Sequence, residues 1–121
     1  MAVAPRIFIV DDETQIVAFL SLTFENAGYA VRTAGSGHDA IALCSAEPFD
    51  VVLSDVMMPE MNGHQLVEWV ADHHPTTRTA LMTGFDGVSV ECSHTPQCQL
   101  IAKPFHAQEV ISFVDQVLAI S

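Results

Sequence analysis

Val51-Val52-Leu53-Ser54-Asp55 decides the fold. The run is continuous, β-branched at its start, and it breaks on a carboxylate. It lacks the apolar–polar alternation of a sheet with one wet face. That is the pattern of a strand buried on both faces, as in a parallel sheet covered by helices. Three other short apolar runs end the same way. Ile7-Phe8-Ile9-Val10 ends on Asp11-Asp12, Ala80-Leu81-Met82 on Thr83, and Leu100-Ile101-Ala102 on Lys103, the only lysine of the chain. As parallel strands they bring three carboxylates, a hydroxyl and an ammonium to one sheet edge. Open α/β folds bind their ligands at that edge.

Helical periodicity fills the gaps between the runs. A helix is predicted over 14–27, with Ile16, Leu20 and Phe24 four apart on one face. Gly28 stops it. A second strand follows over 29–33 and a helix over 38–46, ahead of Pro48. Asn62 is a good N-cap for a third helix, which carries Leu66, Val67, Trp69 and Val70 and ends at His74-Pro75. A strand over 79–82 leads to a segment, 86–96, where the pattern calls for another helix. Val88, Ser89, Val90, Cys92, Ser93, His94 and Thr95 are mediocre helix formers, so a short, irregular or mobile one is expected. The last strand is predicted over 99–102. The last helix is predicted over 107–119, with Val110, Ile111, Val114, Val117 and Leu118 at helical spacing. This alternation predicts an α/β fold, a doubly wound five-stranded parallel sheet with helices on both faces.

Composition bounds the function. At 121 residues, 50% of them apolar and 16% charged, the chain is expected to fold as one domain over 1–121. No internal repeat, low-complexity tract or linker divides it. Four Lys+Arg stand against 15 Asp+Glu, a formal net charge of −11. Phosphate contacts need cations, so direct nucleic-acid binding is not expected, nor is binding to anionic membranes. Cys44, Cys92 and Cys98 are odd in number and irregular in spacing, which reads as reduced thiols rather than a disulfide framework. Their neighbour His94 does not complete a structural zinc pattern. The four apolar residues after Arg6 are too few for a signal-peptide core, and no apolar stretch reaches membrane-spanning length. A cytoplasmic location is expected.

The edge residues carry the chemistry. Asp11, Asp12 and Asp55, as like charges brought close together, would repel one another. A hard divalent cation removes the conflict. Mg²⁺ suits such a set, because it takes oxygen ligands and commonly uses one or two carboxylates with a phosphate oxygen. An aspartate can act as nucleophile in phosphoryl transfer and form an acyl phosphate. The transferring group then needs its equatorial oxygens neutralised. Lys103 offers a point charge and Thr83 a hydroxyl for that purpose.

Val10-Asp11-Asp12-Glu13, Asp55-Val56-Met57-Met58-Pro59-Glu60-Met61-Asn62-Gly63, Thr83-Gly84 and Lys103-Pro104-Phe105 occur in that order. With these four motifs the chain resembles the receiver domain of two-component response regulators over essentially its whole length. The resemblance implies the flavodoxin-like (βα)5 receiver fold with strand order 2-1-3-4-5. It implies phosphorylation of Asp55 by a sensor histidine kinase or a histidine phosphotransfer protein. Asp12 and Asp55 would bind Mg²⁺ through their carboxylates, Asp11 largely through water, and Met57 through its backbone carbonyl. Thr83 and Lys103 would hold phosphoryl oxygens. Met58 would tuck under the site, Gly63 would allow close packing where the third helix starts, and the Lys103-Pro104 peptide bond would be cis. The downstream partner stays open.

The chain departs from the family at three places. Many receivers carry an aromatic residue three before the lysine that swings inward on phosphorylation. Leu100 occupies that position here, so a reduced switch is expected. The stretch from Thr83 to Lys103 is slightly short and weakly helical. Met57 and Phe85 are bulky and apolar where the family tunes hydrolysis, so a long-lived phosphorylated form is expected. His38, His64, His73, His74 and His106 read as surface residues, and Trp69 as packing.

Other functions compete with this reading. An aspartyl-phosphate phosphatase needs a second aspartate two residues after its nucleophile, and position 57 is Met. A flavodoxin-like electron carrier needs a phosphate-binding loop where this chain has Asp11-Asp12-Glu13. The remaining alternatives are a docking module independent of phosphorylation, and a receiver cut from a hybrid kinase or larger regulator. The receiver reading makes the chain a regulatory phosphoacceptor rather than an enzyme.

Overall fold

The computed structural model describes residues 4–58, 60–83, 99–103 and 105–119. Five strands, β1 (Arg6–Val10), β2 (Ala30–Ala34), β3 (Val51–Asp55), β4 (Arg78–Thr83) and β5 (Gln99–Ala102), form one sheet in the order β2-β1-β3-β4-β5. Every pairing is parallel. The helices are α1 (Thr14–Asn26), α2 (Gly37–Ala46), α3 (Gly63–His73) and α4 (Ala107–Ala119). The predicted topology is therefore present, with four helices among the described residues. The helix expected over 86–96 lies outside them, as do Pro59, Gly84, Phe85, Cys92, His94, Cys98 and Pro104.

All five residues of β3 are buried. The strand runs between β1 and β4, in register Val10↔Ser54↔Leu81. Its alternate residues feed two cores. Val51 and Leu53 join Ile7, Ile9, Ala80 and Met82 beneath α1 (Leu20, Phe24) and α4 (Val110, Val114, Val117). Val52 joins Phe8 and Val10 beneath α2 (Ala40, Cys44) and α3 (Leu66, Val70). A strand buried on both faces gains nothing from polar alternation, and its sequence shows none.

Local signals end the helices where the sequence places them. Gly28 has φ +93°, a conformation that costs glycine little and other residues more. Its N–H donates to the Glu25 carbonyl at 3.1 Å and the Tyr29 N–H to the Phe24 carbonyl at 2.9 Å. This is the Schellman pattern. The Phe24 and Tyr29 rings, 4.9 Å apart and edge to face, supply its apolar contact. That use of Tyr29 moves β2 one residue on from 29–33, to Ala30–Ala34. At the start of α3 the Asn62 side chain accepts from the Gln65 N–H, and the Gln65 side chain accepts from the Asn62 N–H. Both orphan donors are thereby satisfied.

The opposite sheet end is closed by Asp50. Its carboxylate accepts the Arg6 N–H at 2.7 Å and its carbonyl accepts the Arg78 N–H at 2.9 Å. Arg6 also pairs with Glu47 and lies 5.4 Å from the centre of the Phe49 ring. With that end fastened, the loops at the other are free to carry chemistry. No helix among the described residues is long and apolar enough to cross a membrane.

Candidate functional site

The C-terminal ends of β1, β3, β4 and β5 converge. Asp11 and Asp12 follow β1, Asp55 ends β3, Thr83 ends β4, and Lys103 follows β5. Ligand atoms from Asp11, Asp12 and Asp55 all lie within 4.8 Å of one another. Asp11 and Asp55 are buried and Asp12 is exposed. The Lys103 ammonium is 3.0 Å from Asp11 Oδ2 and 3.4 Å from Asp55 Oδ1. Four of the five side chains proposed from sequence thus meet at one point. Thr83 is buried at the adjoining strand end, and its carbonyl accepts the Lys103 N–H at 2.6 Å.

Asp11 is held on both oxygens. Oδ1 accepts the Glu13 N–H at 2.9 Å and Oδ2 accepts from Lys103. The sequence assigns no role to Glu13, but its carboxylate reaches to 3.9 Å from the Lys103 ammonium. Only the tertiary fold, which lets the Lys103 side chain reach across the sheet edge from β5 to the end of β1, reveals that contact.

The backbone of Asp55 is clamped. The buried Ser54 hydroxyl donates to the Asp55 carbonyl at 3.0 Å. The Val56 N–H donates to Met82 and the Gly63 N–H to Val56, at 2.9 and 3.0 Å. A Cβ on Gly63 would come within 2.4 Å of the Asp55 carbonyl oxygen and 2.8 Å of Leu81. Glycine therefore lets α3 begin directly against the strand end. Met58 is buried beneath the loop, with its sulfur 4.0 Å from the Ser54 hydroxyl. The Met57 side chain is 56% exposed. Leu100 packs against Val56, Val67 and Leu81.

The electrostatics of the cluster are unbalanced. Burial, then the Asp11 charge, pushes the Asp55 carboxyl up to about 6, with Asp12 adding to the rise and Lys103 opposing it. Burial pulls Lys103 down, but hydrogen bonds and charges from Asp11 and Asp55 outweigh it and its pKa rises. The ammonium thus stays charged and one cation faces three acids. The donor set is all oxygen, close together and short of positive charge, and so fits a hard divalent cation.

The other sequence candidates scatter. His38, His73 and His106 are exposed, while His64 and His74 are partly buried. Trp69 packs against the α2–α3 core and stacks on His73 at 4.4 Å. Cys44 is a buried free thiol, and burial pushes its pKa up to about 11.

A doubly wound sheet with acids and one lysine at its C-terminal edge defines a class of α/β proteins that bind a ligand there. The model of the response regulator receiver domain matches residues 7–115, and the chain belongs to that family. It is 30% identical over 115 residues to the response regulator receiver protein CpdR of Brucella abortus, covering 93% of this chain and 96% of that protein. It is 33% identical to the regulatory protein AtoC of Escherichia coli K12, covering 98% of this chain but only 26% of AtoC. Among solved structures, a CheY-like receiver domain protein from Methanospirillum hungatei superposes with TM-score 0.87 at 27% identity, covering 97% of this chain and 95% of that one. The chemotaxis response regulator CheY4 of Vibrio cholerae gives 0.85 at 28%, covering 95% and 99%.

Proposed function

We propose that the chain is a regulatory phosphoacceptor of a two-component phosphorelay, a single receiver domain over 1–121 that accepts a phosphoryl group on Asp55. The donor is a sensor histidine kinase or a histidine phosphotransfer protein. The carrying observation is the buried Asp55 carboxylate with the Lys103 ammonium 3.4 Å away and two more acids alongside.

In this reading an Asp55 oxygen attacks phosphorus and a new P–O bond forms. The donor's P–N bond breaks, and the imidazole leaves with the electron pair. Lys103 exchanges its contact with Asp55 for one with a phosphoryl oxygen. The Thr83 hydroxyl donates to another. Asp11, Asp12, Asp55 and the Met57 carbonyl are the groups that would hold Mg²⁺. When bound, that ion neutralises phosphoryl-oxygen charge as the group transfers. Leu100 then conveys the new state as a packing change against Val56 and Leu81, without an aromatic swing. The chain acts in the cytoplasm through a protein partner whose binding changes with phosphorylation.

Incubation with acetyl phosphate and Mg²⁺, followed by intact mass measurement, tests the proposal. One phosphoryl group is expected on the wild type and none on Asp55→Asn. No gain in the wild type with donor and metal present would replace this reading with a docking module independent of phosphorylation.

A further inference from the structure

Glu13 occupies the N-cap position of α1, yet its side chain makes no capping hydrogen bond. A side-chain oxygen there would ordinarily accept an N–H of the first turn. The carboxylate instead points back to the phosphoacceptor edge, 3.9 Å from the Lys103 ammonium. Lys103 is only 13% exposed in its side chain, while Glu13 is 63% exposed. Glu13 therefore stands at the solvent-exposed rim of the site, beside the Lys103 ammonium. It adds a fourth acid to Asp11, Asp12 and Asp55, and it competes with an incoming phosphoryl group for the single ammonium.

We infer that Glu13 is a specificity-determining residue that discriminates among phosphodonors by their charge. This rests on the proposal that Asp55 accepts phosphate. A fixed negative charge at the rim repels a donor in proportion to the donor's own charge. At neutral pH acetyl phosphate is a dianion, and phosphoramidate carries one net negative charge. Both transfer to Asp55 with a balanced step. Acetyl phosphate loses its P–O bond and releases acetate. Phosphoramidate loses its P–N bond and releases ammonia, whose nitrogen is already protonated in the zwitterion. Glu13 thus disfavours small acyl phosphates relative to donors of lower charge. A protein donor overcomes the same barrier with its docking energy.

The test compares phosphorylation rate constants of the wild type, Glu13→Gln and Glu25→Gln with each donor at saturating Mg²⁺. Glu25 is exposed in the last turn of α1. It is about 18 Å along the helix from Glu13, beyond the Debye length at physiological salt. Glu13→Gln is expected to raise the acetyl phosphate rate roughly fourfold and the phosphoramidate rate roughly twofold, the first gain being the square of the second. Its rates should also depend less on ionic strength, and Glu25→Gln should match the wild type. A purely structural role would change both donors alike. Equal changes with the two donors, no change, or the same effect from Glu25→Gln would overturn the inference. A wild type that gains no phosphoryl group from either donor would overturn the Asp55 reading itself, and this inference with it.

Discussion

Gly63 shows how much one missing side chain can determine. Any Cβ there meets the Asp55 carbonyl oxygen at 2.4 Å, and that oxygen belongs to backbone already fixed by Ser54. Gly63→Ala must push α3 away or tilt the Asp55 peptide. Overpacking of this kind typically costs about 1–3 kcal/mol. We expect a lower melting temperature together with slower Asp55 phosphorylation, read by thermal denaturation and intact mass. Asp55 itself makes a second prediction. Its pKa, raised to about 6, means that the folded state holds this proton more tightly than the unfolded chain does. Its contribution is therefore most favourable below the unfolded value of about 3.9, and stability falls as pH rises from there through the folded value. In chelator at neutral pH, Asp55→Asn should melt above the wild type. Added Mg²⁺ should narrow or reverse the gap by stabilising the wild type more. A variant that melts below the wild type in chelator would contradict this account.

Among the elements, β3 carries the architecture and α1 the clearest local logic. Leu53 is fully buried between strands and helices, so Leu53→Ala should cost about 2–5 kcal/mol, measured by denaturant unfolding. A loss below about 1 kcal/mol would mean that the core collapses freely around it. The C-terminus of α1 and the start of α3 were legible because each is written in a single residue, Gly28 in one case and Asn62 in the other. The start of β2 was less legible. Its first expected residue, Tyr29, is drawn into the turn by its contact with Phe24, and no strand propensity reports such a contact.

At the scale of the molecule, Tyr29 also ties the α1–β2 corner to α4, its hydroxyl donating to Asp115. Burial, reinforced by the Asp115 hydrogen bond and charge, raises the tyrosine pKa. The folded state resists its ionisation, so the contribution is complete below the unfolded value of about 10 and is lost as pH rises above it. Melting temperature plotted against pH should therefore fall less steeply above about pH 10 in Tyr29→Phe than in the wild type. Coincident curves would remove Tyr29 from the alkaline response.

The sequence by itself determined the parallel sheet, the strand-end acids, the lysine and the helix caps. Those signals lie in runs and spacings along the chain, and burial and backbone conformation act on them locally. Only the tertiary structure decided that Lys103 lies closer to Asp11 than to Asp55, and that the Glu13 side chain turns from its helix towards the site. Each of these is a contact between residues far apart in the chain, or depends on one. Distances of this kind are set by how the strands stack and the helices cover them, and they leave no periodic trace in the order of amino acids.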